Sequence, residues 1–415
     1  MFSRRHWIPP GGLLLAHVAH GLSWMLLLWI AVNGTINGVS GPSLAWIHLV
    51  ALGWFTVAAL SVLLHVIPGF TELQWRLEGV ARVSLGVFAV GVAALVVSLF
   101  AAQRLAEVPA AVTVIALLCY VTAAWATLAQ ARQLARTERA IARALSIVLV
   151  MLVTVAILGL LLAFFLSGAV AGTWIARLPA AHASLGFYGW LSLLVYGVSA
   201  RTVRPICGVT SRFTWIHIGV GTSTLIGAPV LAAGLAFGNA AAMWLGAALL
   251  GLGALAYAAD ITDILTHATT PHRPPQAFIA ASVVWLVTGI ALGASVLAGS
   301  SLVFAYGFVV LVGWVGQMVN AHMHHLATRV IATVYRGDDD DTRPQALLDI
   351  RLSWTSFVLF QIAVGFASYG LALALGWAVV AGALAGITAW IVMSLNLARA
   401  QVRARSPSLI SLGSM

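Results

Sequence analysis

Twelve apolar segments recur along the chain. They lie at roughly 11–33, 44–69, 80–102, 109–131, 141–168, 179–201, 214–237, 240–260, 275–297, 300–328, 352–375 and 376–398. A helix needs roughly 20 apolar residues to cross a bilayer, and each segment is about that long or longer. The expected fold is therefore all-α: a polytopic membrane helical bundle of about 12 transmembrane helices, numbered here as spans 1 to 12. Composition agrees, with 61% of residues hydrophobic and 8% charged and a mean hydropathy of +1.02. A soluble chain of 415 residues suggests two or three domains. Here a single transmembrane domain, 1–415, absorbs the whole length, with a loop at 329–351 and a tail at 399–415. The N-terminus has Arg4 and Arg5 and then a full-length span, so no cleavable signal peptide is expected.

Charge placement sets an orientation. All 21 basic residues are Arg, and only Arg104 and Arg177 fall in the links that follow odd-numbered spans. The others lie at the termini or in the alternate loops, such as 129–143. By the positive-inside rule both termini face the cytoplasm, which places a bacterial chain of this kind in the inner membrane. The net charge of +10 is thus a topological signature with no nucleic-acid partner implied; the bilayer is the partner. Cys119 and Cys207 are too far apart in this topology for a disulfide. The run Asp338 to Asp341, flanked by Arg336 and Arg343, reads as a solvated loop, with a cation site as the minority reading. All 11 carboxylates are expected in loops or at span ends, including Asp260 and Asp263. Proton pumps place carboxylates along their paths, so a proton-pumping role is not expected.

A weak repeat runs through the bundle. Gly53-Trp54, Gly189-Trp190 and Gly313-Trp314 fall in spans 2, 6 and 10, although Gly376-Trp377 shows that the dipeptide alone proves little. His48 precedes its pair by five residues and His182 by seven. Three units of four helices, a pseudo-threefold repeat, are expected.

The histidines carry the chemistry. An ionisable group at lipid depth is costly and marks a functional site by default. His48 and His65 flank span 2, 17 positions apart, or about 25 Å along a helix. His48 and His182 belong to the outer side. His17 and His20, three apart on one helix face, belong to the inner side with His65, His217, His322, His324 and His325. His6, His267 and His272 are terminal or loop residues and read as solvated. Neutral imidazole is the commonest protein metal ligand, and a facing pair can hold a haem iron. Small residues, Ala51, Gly53, Ala183, Gly186 and Gly189, would open a slot, with Trp46, Trp54, Phe187 and Trp190 as its walls. Each histidine also has a plainer reading, a hydrogen bond to a backbone carbonyl. The inner group, with Met323 between His322 and His324, suits copper or a second haem.

At this point the chain resembles a family. Twelve spans, a His opening span 2 and a threefold repeat look like the haem–copper oxidase subunit I superfamily. HLVALGWFTVAALSVLLHVIPGF resembles that group's second helix, whose opening His is an axial haem ligand. HASLGFYGWLSLLVYGVSARTVRPICG is similar to the NnrS-type branch, haem-containing membrane proteins linked to nitric oxide metabolism. The adjacent His-His pair of the oxidase copper site is absent, since span 7 has only His217. Span 6 lacks the His-Pro start and the Tyr four positions on: Ala183 follows His182 and Tyr188 comes six later. His322-x-His324 lies at the opposite end of span 10 from the oxidase's His-x-His.

The resemblance implies a haem b protein that binds or senses a diatomic gas or passes electrons to a small redox partner. No Cys-x-x-Cys-His motif is present to attach haem covalently. His48 and His182 are the leading ligands, His65 with a span-10 histidine (His322 or His324) is a competing pair, and Arg177 is placed to meet haem propionates. A copper transporter or chaperone without haem, built on His17, His20, His65, His217 and His322 to His325, is the alternative. A channel or secondary transporter for a small neutral solute is a third reading.

Overall fold

The computed structural model describes residues 10–34, 39–209, 214–336 and 344–405. Arg4, Arg5, His6, the Asp338–Asp341 run, Arg343 and the tail beyond Arg405 lie outside them. Among the described residues there is no strand, and 12 helices are long and apolar enough to cross a membrane. They are span 1 (Gly11–Val32), span 2 (Gly41–Thr71), span 3 (Glu78–Ala101), span 4 (Glu107–Gln133), span 5 (Arg136–Ser167) and span 6 (Thr173–Cys207). Span 7 (Ile216–Phe237), span 8 (Ala240–Thr266), span 9 (Pro274–Leu297), span 10 (Val303–Arg336), span 11 (Ile350–Leu373) and span 12 (Gly376–Arg405) complete the bundle.

Several helices outrun their apolar windows, spans 8 and 10 among them. Span 10 continues to Arg336, and span 8 continues past Asp260 to Thr266. Charged residues end an apolar window without ending a helix, because helical hydrogen bonds persist while the side chains find polar partners.

The packing has a threefold pattern. In each unit of four, the third and fourth spans form the most extensive pair: 3 with 4, 7 with 8, and 11 with 12. Span 5 packs on span 4, span 9 on span 8 and span 1 on span 12, so the ring of units closes. The second spans, 2, 6 and 10, meet at the centre through one feature. Each contains an eight-residue π-helical segment: Leu49–Thr56, Leu185–Ser192 and Val309–Gly316. Segments of this kind are rare and collect at functional sites.

These segments share one register. The Gly-Trp pair occupies the fifth and sixth residues in all three. At the eighth residue, Thr56 Oγ1 donates to the Ala51 carbonyl (2.8 Å) and Ser192 Oγ donates to the Phe187 carbonyl (2.9 Å). Both bonds reach five residues back, the π spacing. The third unit has Gly316 there, where a Cβ would come within 3.2 Å of the Trp54 ring. The tryptophans run in cyclic order. Trp190 Nε1 donates to Thr56 Oγ1 (3.0 Å), Trp54 leans over Gly316, and Trp314 packs on Phe187 and Tyr196 of span 6. Gly376-Trp377 has no part in this; Trp377 is exposed at the start of span 12.

Close approach elsewhere depends on absent side chains. A Cβ on Gly386 would sit 2.2 Å from the Trp24 ring, where span 12 crosses span 1. Trp24 is buried between Phe308 and Phe360 and cannot retreat cheaply. Gly386→Ala should therefore cost about 1–3 kcal/mol by overpacking. Thermal unfolding in detergent checks this as a lowered midpoint relative to Gly365→Ala, whose Cβ meets open space.

Candidate metal centre

His48 and His182 come together. His48 is the last residue before its π segment, and His182 is the third residue before the next one. Their ring centroids are 6.3 Å apart and the ring planes lie within 17° of parallel. The pseudo-threefold explains the meeting. Phe308 holds the His48 position in the third unit, and Trp46 holds the His182 position in the first. Those two rings face each other in the same way, 5.8 Å apart and 16° from parallel. The fold thus sets two near-parallel rings at this junction. Between units three and one they are apolar filler; between units one and two they are imidazoles.

Their hydrogen bonds fix the tautomers. His48 Nδ1 donates to the Leu44 carbonyl one turn back (2.8 Å), and His182 Nδ1 donates to the Val155 carbonyl of span 5 (3.1 Å). With the proton on Nδ1, each Nε2 carries a lone pair, the arrangement of a metal-ligating histidine with its outer partner in place. If a haem is bound here, His48 and His182 would supply the protein's two nitrogen ligands through Nε2. Both rings are half-buried. These observations fit a haem, which brings four nitrogens of its own and needs two from the protein. A bare zinc or copper(II) ion needs three or four protein ligands, and no group of three or more His, Cys, Asp or Glu so placed occurs among the described residues.

The glycines expected to open a slot lie against the first spans. Gly53 faces Ala19 of span 1, and Gly186 and Gly189 face Val155 and Met151 of span 5, so they bring each second span onto the first of its unit. Arg177 is exposed five residues before His182, its guanidinium lying against Gly238 in the link between spans 7 and 8.

Most of the histidines nearer the Arg-rich end have hydrogen-bond partners of their own, although the His17 and His20 rings also meet edge to face, 6.2 Å apart. His20 stacks on Trp54 (3.6 Å, 10°), and its Nε2 accepts from Trp24 Nε1 (3.0 Å). His17 Nε2 bonds the Ser394 hydroxyl (2.8 Å). His322 bonds Thr202 Oγ1 (2.6 Å) and the Met318 carbonyl (2.7 Å), and His325 Nδ1 meets Gln345 Nε2 (2.8 Å). His65 is half-buried near the far end of span 2. His324 differs: Nδ1 donates to the Asn320 carbonyl (2.8 Å), while Nε2 is buried without a hydrogen-bond partner. Asn320 Nδ2 and His272 Nε2 are buried and unpartnered as well. His272 was expected to be solvated; burial instead pulls its imidazole below the usual range.

His217 belongs to an ion cluster that corrects the carboxylate reading. Asp260 is 2% exposed inside span 8, about 9 Å before its end at Thr266. Arg204 of span 6 pairs with it (3.4 Å) and also bonds His217 Nε2 (2.9 Å). Sequence reasoning ended span 8 at this residue because an aspartate breaks an apolar window. It missed also the Tyr188–Tyr306 hydrogen bond between spans 6 and 10. The shared register of the Gly-Trp pairs was the one available signal, since Tyr306 stands where His182 does.

No model of a protein family matches the chain, and no curated protein is significantly similar to it.

Breaking a buried ion pair leaves an uncompensated charge. Asp260→Ala should cost about 3–5 kcal/mol, whereas Arg204→Met with Asp260→Leu should recover most of it. Thermal unfolding of the three proteins in detergent decides; equal losses in single and double variants would count against a pairing role.

Proposed function

We propose that the protein is a membrane electron carrier or gas-responsive protein holding one b-type haem between His48 and His182. The observation that carries this reading is the facing pair itself: near-parallel rings 6.3 Å apart, each with Nδ1 committed to a carbonyl. When bound, haem supplies a one-electron redox couple and an iron to which a diatomic gas can coordinate. Two histidines on one iron favour electron transfer, and a gas would have to displace one of them. The chain's own part is to hold both imidazoles neutral, aimed and shielded. The cytoplasmic placement of the Arg-rich end and of both termini belongs to the same proposal, on the positive-inside rule.

The test is spectroscopic. Protein purified after haem-replete expression should show a Soret band, the split visible bands of six-coordinate low-spin haem, and about one iron per chain. His48→Ala and His182→Ala should each abolish the low-spin spectrum. A wild-type protein with no Soret band ends this reading.

A second reading, a copper-handling protein without haem, rests on the unpartnered Nε2 atoms of His324 and His272. Metal analysis separates the two, because this reading requires copper without iron. His324→Gln should then remove the copper, and retained copper would count against that site.

A further inference from the structure

We propose that Gly159 of span 5 is a positioning residue for the metal centre, its missing side chain letting His182 reach the Val155 carbonyl. This rests on the haem reading above. His182 is the only one of the two facing histidines whose Nδ1 bond leaves its own helix: it crosses to Val155, 27 residues away. That carbonyl already accepts the N–H four residues on, which is Gly159's own. A second donor must therefore approach past the side of residue 159. A Cβ there would stand 3.0 Å from His182 Cε1 and 3.7 Å from both ring nitrogens. Real side chains rarely tolerate 3.0 Å, and the imidazole has no spare freedom, since its Nδ1 is bonded and its helix is held by Gly186 and Gly189 against the same span.

The repeat supports the assignment. In the first unit Trp46, at the His182 position, donates its ring N–H to the Ser23 carbonyl of span 1 (3.0 Å). In the third unit Tyr306 lies against Gly293 of span 9, where a Cβ would come within 3.1 Å of its ring. The ring at this position thus always rests on the first span of its own unit. Only in the second unit is that ring a metal ligand, so only there does the contact set ligand aim and basicity. An outer partner of this kind typically contributes 10–100-fold in metal affinity.

The experiment compares wild type, Gly159→Ala and Gly197→Ala, the last adding a Cβ in open space on span 6. Haem affinity, the low-spin spectrum and the midpoint potential are measured on each. Gly159→Ala should lose at least about tenfold in affinity and shift the potential, with Gly197→Ala unchanged. His182→Gly supplied with imidazole in solution provides a second background. There the ligand is no longer tethered, so adding Gly159→Ala should have no further effect on haem binding. That comparison also decides the matter if Gly159→Ala alone folds poorly. A haem-loaded wild type whose affinity, spectrum and potential are copied by Gly159→Ala overturns the role of Gly159 alone. A further loss in the imidazole background overturns it too, by showing general damage. A wild type without haem overturns the centre itself.

Discussion

In the hydrocarbon of a bilayer every backbone polar group must find its partner within the protein. That constraint makes each of the 12 spans a helix and fills the centre of the bundle with helices alone. The three central helices then depart from the α pattern in the one way the constraint permits. A π segment keeps every carbonyl paired, through bonds one residue longer, and widens the helix where the three units meet. The hydroxyls of Thr56 and Ser192 reinforce the wider turn at the same spacing. Gly316 omits one because the Trp54 ring occupies the space.

From that shared register follows the placement of every ring at the junctions between units. At two of the three junctions the backbone repeat brings a pair of near-parallel rings together, whereas Ser184 holds the His48 position at the third; the side chains decide what each junction does. Trp46 against Phe308 seals one junction with apolar surface. Tyr306, bonded to Tyr188, closes another with a phenol pair. His48 against His182 leaves an Nε2 lone pair on each of two neighbouring imidazoles. A neutral imidazole with no metal would give up little by being replaced with the apolar rings that serve elsewhere. That contrast within one chain is what favours a bound centre over a packing role.

The buried polar groups away from that junction sort themselves by how fully they are satisfied. His20, between the Trp54 stack and the Trp24 indole, has its ring lone pair used by protein. Arg204, His217 and Asp260 answer one another's charge near the Arg-rich end of spans 6, 7 and 8. Burying such groups is expensive unless partners surround them, and the opposite charges of Arg204 and Asp260 offset part of that cost even though Arg204 Nε and Asp260 Oδ2 lack hydrogen-bond partners. His324 Nε2, Asn320 Nδ2 and His272 Nε2 meet no protein hydrogen-bond partner, and the same holds for Arg204 Nε and Trp314 Nε1.

The sequence by itself determined the fold class, the number of spans and the division into three units. Segment length and the recurrence of Gly-Trp are properties of the chain alone, and lipid imposes the helix on any segment so apolar. It also marked His48 and His182, since an ionisable ring at that depth is conspicuous in a string of aliphatic residues. It could not show that the two rings face each other, because they stand at different offsets from their Gly-Trp pairs and only the packing of unit on unit converts that offset into a meeting. Nor could it show how the histidines assigned to the other side are satisfied, since Ser394 and Thr202, the partners of His17 and His322, lie 377 and 120 positions away. Asp260 was misplaced for the same reason: hydropathy sees a charge and ends the span, while the tertiary structure supplies Arg204 and lets the helix continue.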